Sequence, residues 1–341
     1  MIKEKINLVE IEKIKQLIST NQRFVITTHH NSDGDAMGSA TAMAEVLRQM
    51  GKDATIVLPN GFPTFFNWMK GTESIVIYDK EMGKGEELIS QTDVVICLDF
   101  NQLGRIDALE PIVAASTKPR IVIDHHLGLK IENLACVSVP EASSTCELVY
   151  HVLNACGYES YINLNVAESL YTGMMTDTGR LDFSSSYTDI YEAVGNLVAK
   201  GVRKTFVHDN IYNVYTYNRM KLKAKVLGKN MVFMPEYHTV YMYITMKDKY
   251  EFDFQLGDSE GLVNIPLEIS DVKLCALFTE YKDHVKVSLR SKGDFSVEEF
   301  ARTSFNGGGH KNASGGELKT SLQDTIAVFV DGVKKRSKDL Q

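Results

Sequence analysis

The sequence predicts an α/β protein of two domains: a parallel-sheet domain over residues 1–187, a helical connector over 188–229, and a smaller α/β domain over 230–341. Three observations predict it. Short, almost wholly apolar runs alternate with helix-like stretches between residues 23 and 180, the pattern of strands buried on both faces by crossover helices. A proline-free helical stretch carrying Lys221, Lys223 and Lys225 then breaks the alternation. Strand-like segments resume after residue 230. A chain of 341 residues is too long for one ordinary core and suits two.

The start, MIKEKINLVEIEKIKQ, reads as an amphipathic helix because charge runs through it, and not as a signal peptide. RFVITTH is a short β-rich run, and after Asp33-Gly34-Asp35 apolar residues recur at Ala40, Met43, Leu47 and Met50 until Gly51 stops the helix. Further strands are expected at 54–58, 93–98 and 120–123. Ser144-Thr145-Cys146-Glu147 has capping-box spacing and opens a helix to Cys156, ended by Gly157. A second helix runs from Asn163 to Met175. In the second domain, 231–246 reads as strand, 272–290 as a hairpin turning at Lys282-Asp283, and 321–336 as the last helix. The glycine cluster between them reads as a loop.

No apolar run approaches the ~20 residues needed to cross a bilayer, so no membrane partner is expected. The cysteines Cys97, Cys136, Cys146, Cys156 and Cys275 show no Cys-x-x-Cys spacing, which argues against a thiolate metal site and for reduced thiols in the cytoplasm. A net charge of −7 argues against long duplex nucleic acid and favours a small phosphorylated ligand held by local positive charge.

Hard metal ligands concentrate in four places: Thr28-His29-His30-Asn31-Ser32-Asp33-Gly34-Asp35 after one strand, Asp99 at the end of another, Asp124-His125-His126 at the end of a third, and Asp177 after a helix. Each alone also reads as turn or cap chemistry. Together they change the reading, because three fall at carboxyl ends of strands, where open parallel sheets place their sites. The set offers imidazole and carboxylate without sulfur, which suits Mn²⁺, or Mg²⁺ with added waters. Two ions sharing a carboxylate could clamp the attacking and departing oxygens of a phosphoryl transfer. The phosphate would need further cationic donors, for which His126, Arg290, Lys292 and His310 are the candidates. The run Asn306-Gly307-Gly308-Gly309-His310-Lys311-Asn312-Ala313-Ser314-Gly315-Gly316 could bring backbone N–H groups to an anion, and it lacks the Gly-Lys-Ser/Thr of a Walker loop.

His29-x3-Asp33-x-Asp35-Ala36-x-Gly38-Ser39, Asp99, Asp124-His125-His126 and Asp177-Thr178-Gly179, in that order, resemble the motifs of the DHH phosphoesterase family. Gly307-Gly308-Gly309-His310 with Ala313 and Gly315 resembles the motif of its associated second domain. The likeness spans nearly the whole chain and is nearest the bifunctional oligoribonuclease and pAp-phosphatase (nanoRNase) branch. It implies a parallel-sheet DHH domain and a smaller DHH-associated domain. It places His29, Asp33 and Asp99 on one metal ion, and Asp35, Asp99, His125 and Asp177 on another, with Asp99 bridging. Asp124 would orient a histidine and His126 would face the scissile phosphate. Arg290 and His310 would come from the second domain to hold the remaining phosphate or base, and Lys292, Gly308 and Gly309 are substrate-binding candidates on their own chemistry. Ser32, Asn306 and Ser314 stand where the family pattern has proline, glycine and alanine; none of these removes a ligand.

The expected activity is a Mn²⁺-dependent hydrolysis of short oligoribonucleotides or 3′-phosphoadenosine 5′-phosphate (pAp), in a chain free to form a homodimer. A cyclic-dinucleotide phosphodiesterase, or a polyphosphatase or pyrophosphatase, could use the same centre. A non-catalytic nucleotide-binding protein is the alternative from a different class.

Overall fold

In the computed structural model, which describes residues 1–132, 134–182, 187–255 and 257–340, the chain divides into two compact units, Met1–Val214 and Tyr215–Gln341. Helices α1 (Ile2–Lys5) and α2 (Leu8–Thr20) lead into β1 (Arg23–Thr27), α3 (Gly34–Gln49), β2 (Asp53–Leu58), β3 (Val76–Ile77), α4 (Met82–Gln91) and β4 (Val94–Leu98). Then come α5 (Glu110–Ala115), β5 (Arg120–Asp124), β6 (Ala135–Ser138), α6 (Thr145–Ala155), α7 (Leu164–Asp177), α8 (Thr188–Ala199) and α9 (Lys204–Ile211). The six strands pair in parallel in the order β3-β2-β1-β4-β5-β6.

Alternation on the strands explains why they read as unbroken apolar runs. Phe24 and Ile26 face one core with Val94, Ile96 and Leu98, while Val25 faces the other with Val95 and Cys97. Both faces are buried, so both residue sets must be apolar. The strand order reverses between β1 and β4, from β1-β2-β3 on one side to β4-β5-β6 on the other. The crevice above that reversal is where such sheets bind ligands.

Local chemistry sets the helix that leaves β1. Asp33 caps α3, its carboxylate accepting from Asp35 N–H and Ala36 N–H at 3.1 Å each, and Gly51 ends it at φ +76°. Close packing of α3 on α7 requires a glycine: a Cβ at Gly38 would overlap the Ser169 carbonyl oxygen. Ser144 caps α6 by accepting from Glu147 N–H at 3.0 Å. The expected capping box is not closed, because the Glu147 carboxylate accepts instead from Ser143 N–H at 2.7 Å.

The segment 188–229 folds as α8, α9 and α10 (Tyr217–Lys229), and the boundary between units falls between α9 and α10. The second unit continues with β7 (Met231–Met234), β8 (Thr239–Ile244), α11 (Met246–Glu251), β9 (Leu274–Glu280), β10 (Val285–Ser291), α12 (Val297–Ser304), β11 (Gly308–His310), β12 (Ala313–Leu318) and α13 (Leu322–Lys335). Its sheet runs β11-β12-β10-β9-β8-β7 and is antiparallel except for the β8–β9 pair. Leu274, Ala276 and Phe278 pack on α12 and α13, and Cys275 and Leu277 face the opposite core beside α10.

Two readings of this half need correction. Residues 231–246 are not one strand: a turn at Pro235–Tyr237, with His238 at φ +48°, folds β7 back on β8. The glycine run is not a loop but β11 and β12, paired through Gly308↔Gly315 and His310↔Ala313. A Cβ at Gly307 would overlap the Gly315 carbonyl oxygen, so part of the glycine content serves close strand approach. No helix among the described residues is long and apolar enough to cross a membrane.

Candidate metal centre

The ends of β1, β4 and β5 converge on one buried cluster. His29 and Asp33 follow β1, Asp99 follows β4, and Asp124, His125 and His126 end or follow β5. Asp35 comes from the first turn of α3 and Asp177 from the last residue of α7. The ligand atoms of His29, Asp33 and Asp99 lie within 4.8 Å of one another, as do those of Asp35, His125 and Asp177.

Asp99 stands between the two trios. Its Oδ2 is 3.4 Å from His29 Nε2, and its Oδ1 is 3.5 Å from His125 Nε2. Asp99 holds a left-handed backbone, φ +65°, and is 2% exposed. Aspartate tolerates that region better than most residues, yet it costs on the order of 1 kcal/mol and recurs at functional sites. His125 Nε2 also lies 3.3 Å from Asp177 Oδ2 and 3.7 Å from Asp35 Oδ2.

Both histidines of the trios are oriented by backbone. His29 Nδ1 lies 2.9 Å from the His30 carbonyl oxygen, and His125 Nδ1 lies 3.3 Å from that of Ala142. With each Nδ1–H donated to a carbonyl, each Nε2 turns toward the carboxylates, the arrangement metal-binding histidines usually show. Asp124 does the same for His126, accepting from its Nδ1 at 2.8 Å and from its backbone N–H at 3.1 Å.

Several contributors were not legible in the motifs. The first turn of α6 points its amides at Asp35: Thr145 N–H donates to Oδ2 at 2.6 Å and Cys146 N–H to Oδ1 at 2.8 Å. The Thr145 hydroxyl donates to Asp99 Oδ1 at 3.0 Å. Gly173 on α7 leaves the room, since a Cβ there would lie 2.5 Å from Asp35 Oδ1. The capping sequence 144–147 marked a helix start, and a helix start is an anion site; that was the available signal.

The electrostatics of the ion-free cluster are those of crowded acids and imidazoles. Burial alone would lower His29, but Asp33 and Asp99 raise it to about 10. His125 is likewise raised, against burial, by Asp177 and Asp99. Burial, with Asp99 and Asp177 nearby, pushes Asp35 up, and burial lifts Asp177 to about 6 even though His125 opposes it. Asp99 goes the other way, held down against burial by His125 and His29. His126 is lowered by burial, with Asp124 only partly offsetting it. Four carboxylates crowded this closely hold protons or cations, and the oxygen and imidazole donor set fits Mn²⁺ or Mg²⁺.

In the second unit, Arg290 on β10, Ala313 on β12 and His310 on β11 occupy one row of the sheet. Paired residues share a face, so Arg290 and His310 flank the small Ala313 side chain. Gly308 and Gly309 lie on β11, and Lys292 lies just past β10, its N–H donating to the Lys273 carbonyl at 2.8 Å.

A family model described as DHH family, N-terminal domain, matches residues 23–174, and one described as DHHA1 domain matches residues 237–338. The chain is 25% identical over 302 residues to a bifunctional oligoribonuclease and PAP phosphatase NrnA from Bacillus subtilis, spanning 88% of this chain and 91% of that protein. It is 38% identical to the crystal structure of an exopolyphosphatase-related protein from Bacteroides fragilis, with a TM-score of 0.92 and coverage of 98% of both chains. A RecJ from Thermus thermophilus solved in complex with Mn²⁺ shares the fold at TM-score 0.57 and 14% identity, over 97% of this chain and 55% of that one.

Proposed function

The chain belongs to the DHH family of phosphoesterases, and on that premise we propose that it is a two-metal hydrolase of short oligoribonucleotides and pAp. The observation that carries the two-metal reading is Asp99, which turns one carboxylate oxygen toward each histidine–carboxylate trio. In this reading His29, Asp33 and Asp99 hold one ion, and Asp35, Asp99, His125 and Asp177 hold the other. Ions there would acidify a bound water and neutralise phosphate charge.

The chain's own groups do the rest. The amides of Thr145 and Cys146 fix both oxygens of Asp35, and the Thr145 hydroxyl fixes the rotation of Asp99. Asp124 takes the Nδ1–H of His126, which leaves the lone pair at Nε2. In this reading His126, oriented by Asp124, faces the scissile phosphate, with burial lowering its pKa. Arg290, Lys292, Gly308, Gly309 and His310 are assigned to the substrate's remaining phosphate or base.

Similarity to the Bacillus NrnA supports the nucleotide reading. The 38% identity to an exopolyphosphatase-related protein favours polyphosphate as the second reading. The test offers purified protein and Mn²⁺ pAp, two- to five-nucleotide RNAs, a longer RNA, cyclic dinucleotides and polyphosphate side by side. Hydrolysis of pAp and the shortest RNAs is expected to dominate. Preference for polyphosphate or for cyclic dinucleotides overturns the nucleotide assignment.

A further inference from the structure

Three buried side-chain atoms, spaced four residues apart along α6 and the turn before it, make no hydrogen bond: Ser143 Oγ, Glu147 Oε1 and His151 Nε2. Glu147 is 1% exposed and Ser143 3%. Glu147 Oε1 lies 3.7 Å from His151 Nε2, beyond direct hydrogen-bonding range. A buried carboxylate oxygen with unused lone pairs is costly.

The other Glu147 oxygen accepts from Ser143 N–H at 2.7 Å. The turn it clasps contacts three of the candidate ligands. Ala142 carbonyl faces His125 Nδ1, the amides of Thr145 and Cys146 hold Asp35, and the Thr145 hydroxyl holds Asp99. We propose that Glu147 is a positioning residue: through the Ser143 amide it fixes the turn 142–146 and so the orientation of Asp35, Asp99 and His125. Its ion-binding readout rests on the two-metal reading; its readout in the ion-free protein does not.

The experiment compares full-length wild type, Glu147→Ala, Glu147→Gln and Leu153→Ala. Leu153 is a fully buried residue about two turns further along the same helix. In ion-free protein, Glu147→Ala is expected to speed amide exchange at Ser143, Thr145 and Cys146 while leaving Val152 to Ala155 unchanged. Its Mn²⁺ affinity and kcat should fall by about ten- to hundredfold with KM little changed, and Glu147→Gln, which keeps an oxygen acceptor for Ser143, should recover to within about threefold. Leu153→Ala should lower Tm without this pattern. The proposal is overturned if Glu147→Ala leaves exchange and affinity unchanged, if Gln is as harmful as Ala, or if Leu153→Ala reproduces the losses. Failure of wild type to bind Mn²⁺ would instead overturn the metal assignment, with the exchange result still standing.

Discussion

Replacing Asp99 by asparagine changes almost nothing except charge. Asparagine has the same shape and also tolerates the left-handed backbone that Asp99 adopts at φ +65°. The carboxylate oxygens lie 3.4 and 3.5 Å from the two Nε2 atoms that flank it. At an effective dielectric of about 20, one unit charge at that range from a cationic centre is worth roughly 5 kcal/mol. The amide dipole recovers part of it, leaving a net loss of about 3–4 kcal/mol, or two to three decades of affinity. Calorimetric titration with Mn²⁺ should therefore find two sites in wild type and at most one of comparable affinity in Asp99→Asn, with pAp hydrolysis falling in parallel. Two sites with affinities within about threefold of wild type would refute the idea that Asp99 is shared.

Three further outcomes follow from the geometry. Gly173→Ala places a methyl 2.5 Å from Asp35 Oδ1 and against Cys146 Sγ; denaturant unfolding in EDTA should show a loss of about 1–3 kcal/mol, together with weaker Mn²⁺ uptake. His29, raised to about 10 from an ordinary 6.5, lends the ion-free fold a stability that is complete below about pH 6.5 and lost as pH rises through about 10. Ions replace that proton, so the Tm of EDTA-treated protein should fall across this window and the gain from Mn²⁺ should grow with pH; parallel curves with and without Mn²⁺ would contradict the assignment. His310→Ala should raise KM for pAp about tenfold with kcat within about threefold, whereas collapse of kcat would move His310 into the chemistry.

The first sheet was legible because parallel strands buried on both faces leave an unbroken apolar record, as at Val94–Leu98. The clustering of its acids and histidines was legible for a related reason: strand ends confine them, and an aspartate or histidine directly after such a run has few other places to go. What the motifs did not reveal is backbone. The Thr145 and Cys146 amides, the Ala142 carbonyl and the space at Gly173 carry no side-chain signature at a fixed spacing from the acids they serve. The two-residue β3 and four-residue β6 are too short for periodicity to register. In the second unit the glycines of 307–316 read as loop because glycine weakens a strand, yet at Gly307 and Gly309 a side chain would collide with the backbone of the facing strand.

The reversal of strand order at β1 and β4 bears on how the chain matures. His29, Asp33 and Asp35 emerge early, Asp99 and His125 later, and Asp177 only with the helix that packs across α3. A nascent polypeptide that has not delivered residue 177 therefore owns most of its acids but no finished cage. On the proposed two-metal reading, cation occupancy would then report native assembly and not mere collapse. A nick or deletion between residues 23 and 177 should abolish cation uptake while much of the far-ultraviolet dichroism persists.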